Sequence, residues 1–204
     1  ILATVASVAS LVDMLGRVIT TIGGIIAQWK DPDISILNTN TQLIILKAAV
    51  VEIKDWMETY PGEIHHQLVM DLDDSLGCCQ RLATRLDKDV AQLNKSLSRP
   101  VPTSVRARFV LRSKPMAELQ RMIDTQISAL TLLLTACNSK TLAAQRRLLE
   151  KSTSRKTLDA LKKDSVSLKA LRDTESIFTD TTDRLSKLSK VFDFDAQLFA
   201  SKAY

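Results

Sequence analysis

The stretch ILATVASVASLVDMLGRVITTIGGIIAQW, residues 1–29, decides the fold class. Ile1, Val5, Val8, Val12, Leu15, Ile19, Ile22, Ile26 and Trp29 follow one another in alternating steps of four and three. Such spacing keeps apolar side chains on one side of an α-helix for about eight turns. The remaining positions are mostly Ala, Ser, Thr and Gly, with only Asp13 and Arg17 charged before Lys30. A surface helix ordinarily carries Lys and Glu on its outer side. Here small residues, Ala9, Gly16 and Gly23 among them, stand beside those two charges.

Outward from that helix, Lys30-Asp31-Pro32-Asp33 ends it and offers Asp33 as a cap for the next. A second helix runs to about residue 60 by its apolar spacing, with Ile36, Leu43, Leu46, Val50, Ile53 and Met57 inside. Pro61-Gly62 breaks it, and a third helix follows with Leu68, Leu72, Leu76, Cys79, Leu86, Val90, Leu93 and Leu97 on its buried side. Arg99-Pro100-Val101-Pro102 is a loop. Ser113 caps a fourth helix, Pro115 suits its first turn, and Leu119, Ile123, Ile127, Leu130, Leu134 and Cys137 face inward. Beyond Asn138 the pattern thins to Leu148, Leu158, Leu161, Leu168 and Leu171 with dense charge between, as in one or two long helices. After Pro115 no Gly or Pro occurs in the last 89 residues, and aromatic residues are only 4% of the chain. Both facts exclude a β protein, which needs frequent turns and ring-rich strands. The expected fold is all-α: a multi-helix bundle with a four-helix-type core and long C-terminal helices.

The hydrophobic share of 45% over 204 residues suffices for a real core. Three cysteines, Cys78, Cys79 and Cys137, two of them adjacent, make a poor disulfide framework and point to a reducing compartment. The opening Ile, where a Met would start a chain, leads us to expect an excerpt of a longer one. Charge is uneven: residues 1–75 hold 4 Lys and Arg against 10 Asp and Glu, whereas residues 76–204 hold 24 against 13. A basic half suits nucleic acid, anionic lipid or an acidic partner. Lys95, Arg99, Arg106, Arg108, Arg112 and Lys114 fall in a stretch, residues 90–117, with no Asp or Glu. That cluster fits anionic headgroups. Only Phe109 interleaves there, so a base-stacking platform is unsupported and no nucleic-acid partner is expected.

Catalytic chemistry finds no foothold. His65 and His66 are the only histidines, and no zinc-ligand spacing joins them to the cysteines. No nucleophile–base pairing and no glycine loop for a nucleotide occurs. The expectation is a non-enzymatic domain without cofactor or metal. The first helix is also weighed as a membrane span. Its nine Leu, Ile and Val between positions 5 and 25 favour insertion by roughly 3–5 kcal/mol, while Asp13 and Arg17 at mid-depth each cost roughly 2.5–3.5 kcal/mol. Alone it gains little by inserting; in an oligomer the two charges can pair or face water. A resting place inside the bundle is the plainer expectation for the monomer.

The opening ILATVASVASL with Gly16-Arg17-Val18-Ile19 resembles the first helix of fungal HeLo-like domains, the N-terminal effector domains of fungal NOD-like receptors and related STAND proteins. Arg108-Phe109-Val110-Leu111 before Pro115, and the Leu-rich helix that follows, are similar to the corresponding part of that family. Phe192-Asp193-Phe194-Asp195 and Ser201-Lys202-Ala203-Tyr204 look like its linker to a nucleotide-binding module. The resemblance implies a bundle over residues 1–190 and a linker over 191–204 leading to a downstream receptor domain. It further implies a cell-death execution domain of fungal immunity or heterokaryon incompatibility, cytoplasmic at rest, that self-associates and permeabilises the anionic plasma membrane with its first helix. The inserting residues would be Ile1, Val5, Val8, Val12, Leu15, Ile19, Ile22 and Ile26, with Ala9, Asp13, Gly16, Arg17 and Gly23 on the small or polar side. The competing expectation is a homo-oligomerising scaffold or adaptor bundle that never touches lipid.

Overall fold

Alternating three- and four-residue steps of burial recur in the first two helices of the computed structural model. The structure describes residues 2–27, 34–59, 65–96 and 114–185, with side chains described over 5–27, 34–59, 65–91 and 117–170. Six helices account for nearly all of these residues: α1 (Leu2–Ala27), α2 (Ile34–Thr59), α3 (His66–Ser96), α4 (Lys114–Cys137), α5 (Leu142–Glu150) and α6 (Ser152–Leu185). The described residues contain no strand. The chain is an all-α multi-helix bundle.

In α1 the buried line is Val8, Leu11, Leu15, Val18, Ile22 and Ile25. In α2 it is Ile36, Thr39, Leu43, Leu46, Val50 and Ile53. Both lines advance by three and four, the spacing that holds a narrow seam against neighbouring helices. The helices α3 and α4 bury wider faces. Asp71, Ser75, Cys78, Leu82 and Ala83 join the expected leucines of α3, and Met122, Gln126, Ala129, Leu133 and Ala136 join those of α4. The added width is required because these two helices are covered from two sides, by α1 and α2 and also by α5. The expected inward residues Ile127 and Leu134 of α4 are only half-buried, as are Met57 of α2 and Leu148 of α5. In α5 the adjacent Leu149 is the residue that buries.

The core is a square of four helices. Helix α1 packs on α2 and α3, and α4 packs on the same two. Cross-links fix the directions. Helices α1 and α2 pack together and are joined by only six residues, 28–33, which sets these two antiparallel, with Lys47 of α2 over Gly16 of α1. Gln120 of α4 donates to Ser35 Oγ at 2.9 Å and Gln42 of α2 donates to Asp124, so α2 and α4 run parallel. Gln126 of α4 donates to Ser75 of α3, at 2.8 Å to the carbonyl and 2.7 Å to the hydroxyl, satisfying two buried polar groups at once. The chain therefore runs up, down, up, down, with the α2–α3 connection crossing the diagonal at one end.

Helix α5 starts at a Thr141 cap whose Oγ1 accepts from the Ala144 amide at 3.1 Å, ordinary capping geometry. The first part of α6 buries Ser154, Leu158, Leu161 and Asp164. Polar links tie it down: Arg121 of α4 donates to Asp164, and Arg81 of α3 donates to Ser165. Residues 1–166 form one compact unit, and residues 167–204 group as a second, of which the structure describes the continuation of α6. The expected linker over 191–204, and the boundary before it, lie outside the described residues.

Candidate functional site

Of the residues expected to insert into a membrane, Val8, Leu15 and Ile22 are buried in the core, whereas Val5, Val12, Ile19 and Ile26 are half-buried beside it. Ile1 lies outside the described residues. The second half of the seam is Leu11, Val18 and Ile25, each one position before the residue the four-three count selected. Both lines share Val8, Leu15 and Ile22 and obey the same helical period. Packing against α2 and α3 together decides between them.

On the outer side of α1, Ala6, Ser10, Asp13, Arg17, Thr20, Gly24 and Ala27 are exposed. Ala9, Gly16 and Gly23 are half-buried at its edge. A Cβ on Gly16 would stand 3.3 Å from Lys47 Nζ, so this glycine already accepts a neighbour within its own chain. A Cβ on Gly23 or Gly24 would meet nothing within 4 Å. The basic cluster is only partly placed. Lys95 lies near the end of α3 and Lys114 opens α4, and these helix ends share one end of the bundle. Their side chains, and Arg99, Arg106, Arg108 and Arg112 entirely, lie outside the described residues.

Two helices are long and apolar enough to cross a membrane by length and composition: Val5–Ala27, mean hydropathy 1.5, and Ile34–Thr59, mean hydropathy 1.4. Only 28% of each is buried inside the bundle. Most of the other residues of α1 are half-buried rather than exposed. The regular apolar spacing marks α1 alone; the run from Ile34 to Val51, with Lys47 its one charge, is the corresponding signal in α2.

A groove of about 430 Å³ opens among the start of α3, α5 and the first turns of α6. Its charges balance, Arg146, Arg155 and Lys162 against Asp71, Glu150 and Asp159. Arg146 donates to Glu150 at 2.8 Å, and Lys162 lies 3.8 Å from the buried Asp71 and 3.9 Å from Asp74. Such pairing leaves no net field to hold an anion. Burial raises the Asp71 carboxyl above its ordinary range, partly opposed by the hydrogen bond from Gln67 and by Lys162. No cluster of three or more His, Cys, Asp or Glu among the described residues could hold a metal ion. All three cysteines are reduced and buried. Burial pushes the Cys78 thiol up to about 11 and Cys137 up to about 12, and raises Cys79 further. Thiols so shifted are protonated at neutral pH and make poor nucleophiles. No family model matches the chain, and no curated protein or solved structure matches it.

Proposed function

We propose that this bundle is a membrane-permeabilising module, cytoplasmic at rest, whose α1 leaves the core and enters anionic bilayers when copies assemble. The observation that carries the reading is the membrane-length apolar helix α1, of which only 28% is buried. Its inner seam is satisfied by α2 and α3, while its outer side presents Ala, Ser, Thr and Gly rather than the Lys and Glu of a permanently solvated helix. Asp13 and Arg17 oppose insertion of a lone helix, which is why assembly belongs to the proposal: neighbouring copies can pair the two charges or line a wet pore with them. The resemblance to fungal HeLo-like effector domains suggests cell death as the outcome, with a receptor domain in the same polypeptide supplying the trigger. No catalytic step is involved.

The test is dye leakage from vesicles of phosphatidylcholine and phosphatidylserine, using the 204-residue chain and Ser10→Glu. Ser10 is exposed, so the substitution leaves the folded chain at parental thermal stability, whereas Ala9, half-buried, would confound packing with insertion. A carboxylate carried into the bilayer costs roughly 2–3 kcal/mol per copy. Ser10→Glu should therefore abolish most leakage. Leakage equal to the parent's would remove α1 from the mechanism, and an intact parent that never leaks vesicles would favour the scaffold.

A further inference from the structure

Helix α2 carries large apolar residues that the bundle does not use, with the uncharged Asn38 and Thr41 exposed between them. Ile34 is 74% exposed, Leu37 39%, Ile44 49% and Ile45 48%, all on the side turned away from α1 and α4. Its buried seam is complete without them. Between Ile34 and Val51 the only charge is Lys47, while Glu52, Lys54, Asp55 and Glu58 gather in the last turns. Eighteen residues of helix rise about 27 Å, close to the thickness of a bilayer's hydrocarbon core. Charge is thus absent over a membrane's depth and present at one border of it.

Lys47 is the exception, and its position is informative. Its amine is turned towards α1 and sits over Gly16. The ion in the middle of α2 is therefore directed into the α1–α2 seam rather than outward. The two helices are antiparallel neighbours joined by only six residues, 28–33, so they form a hairpin. Moving as a pair, they keep their shared seam and the Lys47 contact. Only the α1–α3 and α2–α4 seams open.

We infer that the membrane-inserting unit is the α1–α2 hairpin, with lipid covering the Ile34, Leu37, Ile44 and Ile45 face of α2. This inference rests on the proposal that α1 inserts. It also identifies what restrains the hairpin. Gln120 of α4 donates to both Ser35 and Thr39, and Gln42 donates to Asp124, polar ties that must part before α2 can leave.

The test places an environment-sensitive fluorophore on single cysteines introduced by Ser10→Cys in α1, Ile44→Cys in α2 and Ser128→Cys on the exposed side of α4. The native thiols are buried, and labelled parent protein supplies the background. Each labelled chain is mixed with phosphatidylcholine–phosphatidylserine vesicles that carry a quencher on the lipid tails. The expected result is strong quenching at Ser10→Cys and Ile44→Cys and none at Ser128→Cys. Quenching at Ser10→Cys without Ile44→Cys overturns the hairpin and leaves α1 insertion standing. An unquenched Ser10→Cys overturns both. As a second arm, Gln120→Ala should raise the initial leakage rate several-fold by releasing α2 from α4. An unchanged or lower rate means that those ties do not gate α2 and counts against the inference.

Discussion

Asp164 is buried near the middle of α6, and what makes that tolerable is Arg121 of α4, which reaches it while also holding Glu118 at 2.7 Å. The hydrogen bond with Glu118 raises the guanidinium above its already high ordinary value, with Asp164 adding to the same effect. Removing one partner of a buried pair leaves the other desolvated and unmatched. Arg121→Met should cost about 1–3 kcal/mol, read from urea unfolding midpoints. Adding Asp164→Leu should recover part of that loss, because two apolar partners leave no orphan charge. A double variant less stable than Arg121→Met would show the carboxylate contributing on its own. Asp71 poses the opposite case. Burial raises its folded pKa above the unfolded value, so its ionised form is disfavoured by folding. The sign follows: the penalty is absent at pH below the unfolded value and grows as pH rises through the folded one. Asp71→Asn should therefore gain on the parent as pH rises from below the ordinary carboxylate range towards neutral. A gain in the reverse direction would mean that Lys162 overcompensates the burial.

At the scale of the element, α1 shows how far periodicity reaches. The helix, its length and half of its seam (Val8, Leu15 and Ile22) follow from apolar spacing alone. The other half was legible only as a choice between Leu11, Val18, Ile25 and Val12, Ile19, Ile26, because both triplets are apolar and both keep the period. Tertiary neighbours, invisible to a periodic count, select the first. The same limit explains α3 and α4, where Asp71, Ser75 and Gln126, polar residues outside the apolar spacing, are buried against α5, α6 or each other. Polar residues bury when a partner at the right height satisfies them, and sequence does not display that height. The small residues of α1 separate likewise. Gly16 is occupied by Lys47, whereas Gly23 faces open space. Close helix approach between copies is therefore better tested at Gly23. Gly23→Leu should raise helix stability by about 0.5–1 kcal/mol, since glycine is a poor helix former. It should also block higher oligomers on vesicles, as measured by light scattering after detergent extraction. Parental oligomer size would show that this edge of α1 does not meet another copy.

Over the whole molecule, charge and hydropathy are sorted along the chain in the same direction. Residues 1–75 carry the two membrane-length helices and a net charge of −6, from 4 basic and 10 acidic residues, while residues 76–204 carry +11, from 24 and 13. An acidic apolar half has no electrostatic reason to approach a phosphatidylserine surface; a basic half does. The fold brings the end of α3 and the start of α4 to the same end of the bundle as the end of α1 and the start of α2. The acid-free stretch from 90 to 117 connects those helix ends and holds Arg106, Arg108 and Arg112. On the proposed reading, attraction through that stretch would bring this end of the hairpin towards the headgroups first, which would make binding and insertion separable steps. Replacing the three arginines with Glu should weaken binding to phosphatidylserine vesicles by about 1 kcal/mol for each charge near the surface. The difference from the parent should shrink as salt is added, because screening shortens the reach of exposed charge. Co-sedimentation with vesicles across a salt series measures both. Insertion obeys hydropathy instead, so the triple variant, once enough protein is added to match the bound amount, should leak vesicles as the parent does. Parental binding by the triple variant at low salt would assign the stretch to connecting α3 and α4 and nothing more. Lost leakage at matched binding would place the arginines in the insertion step itself.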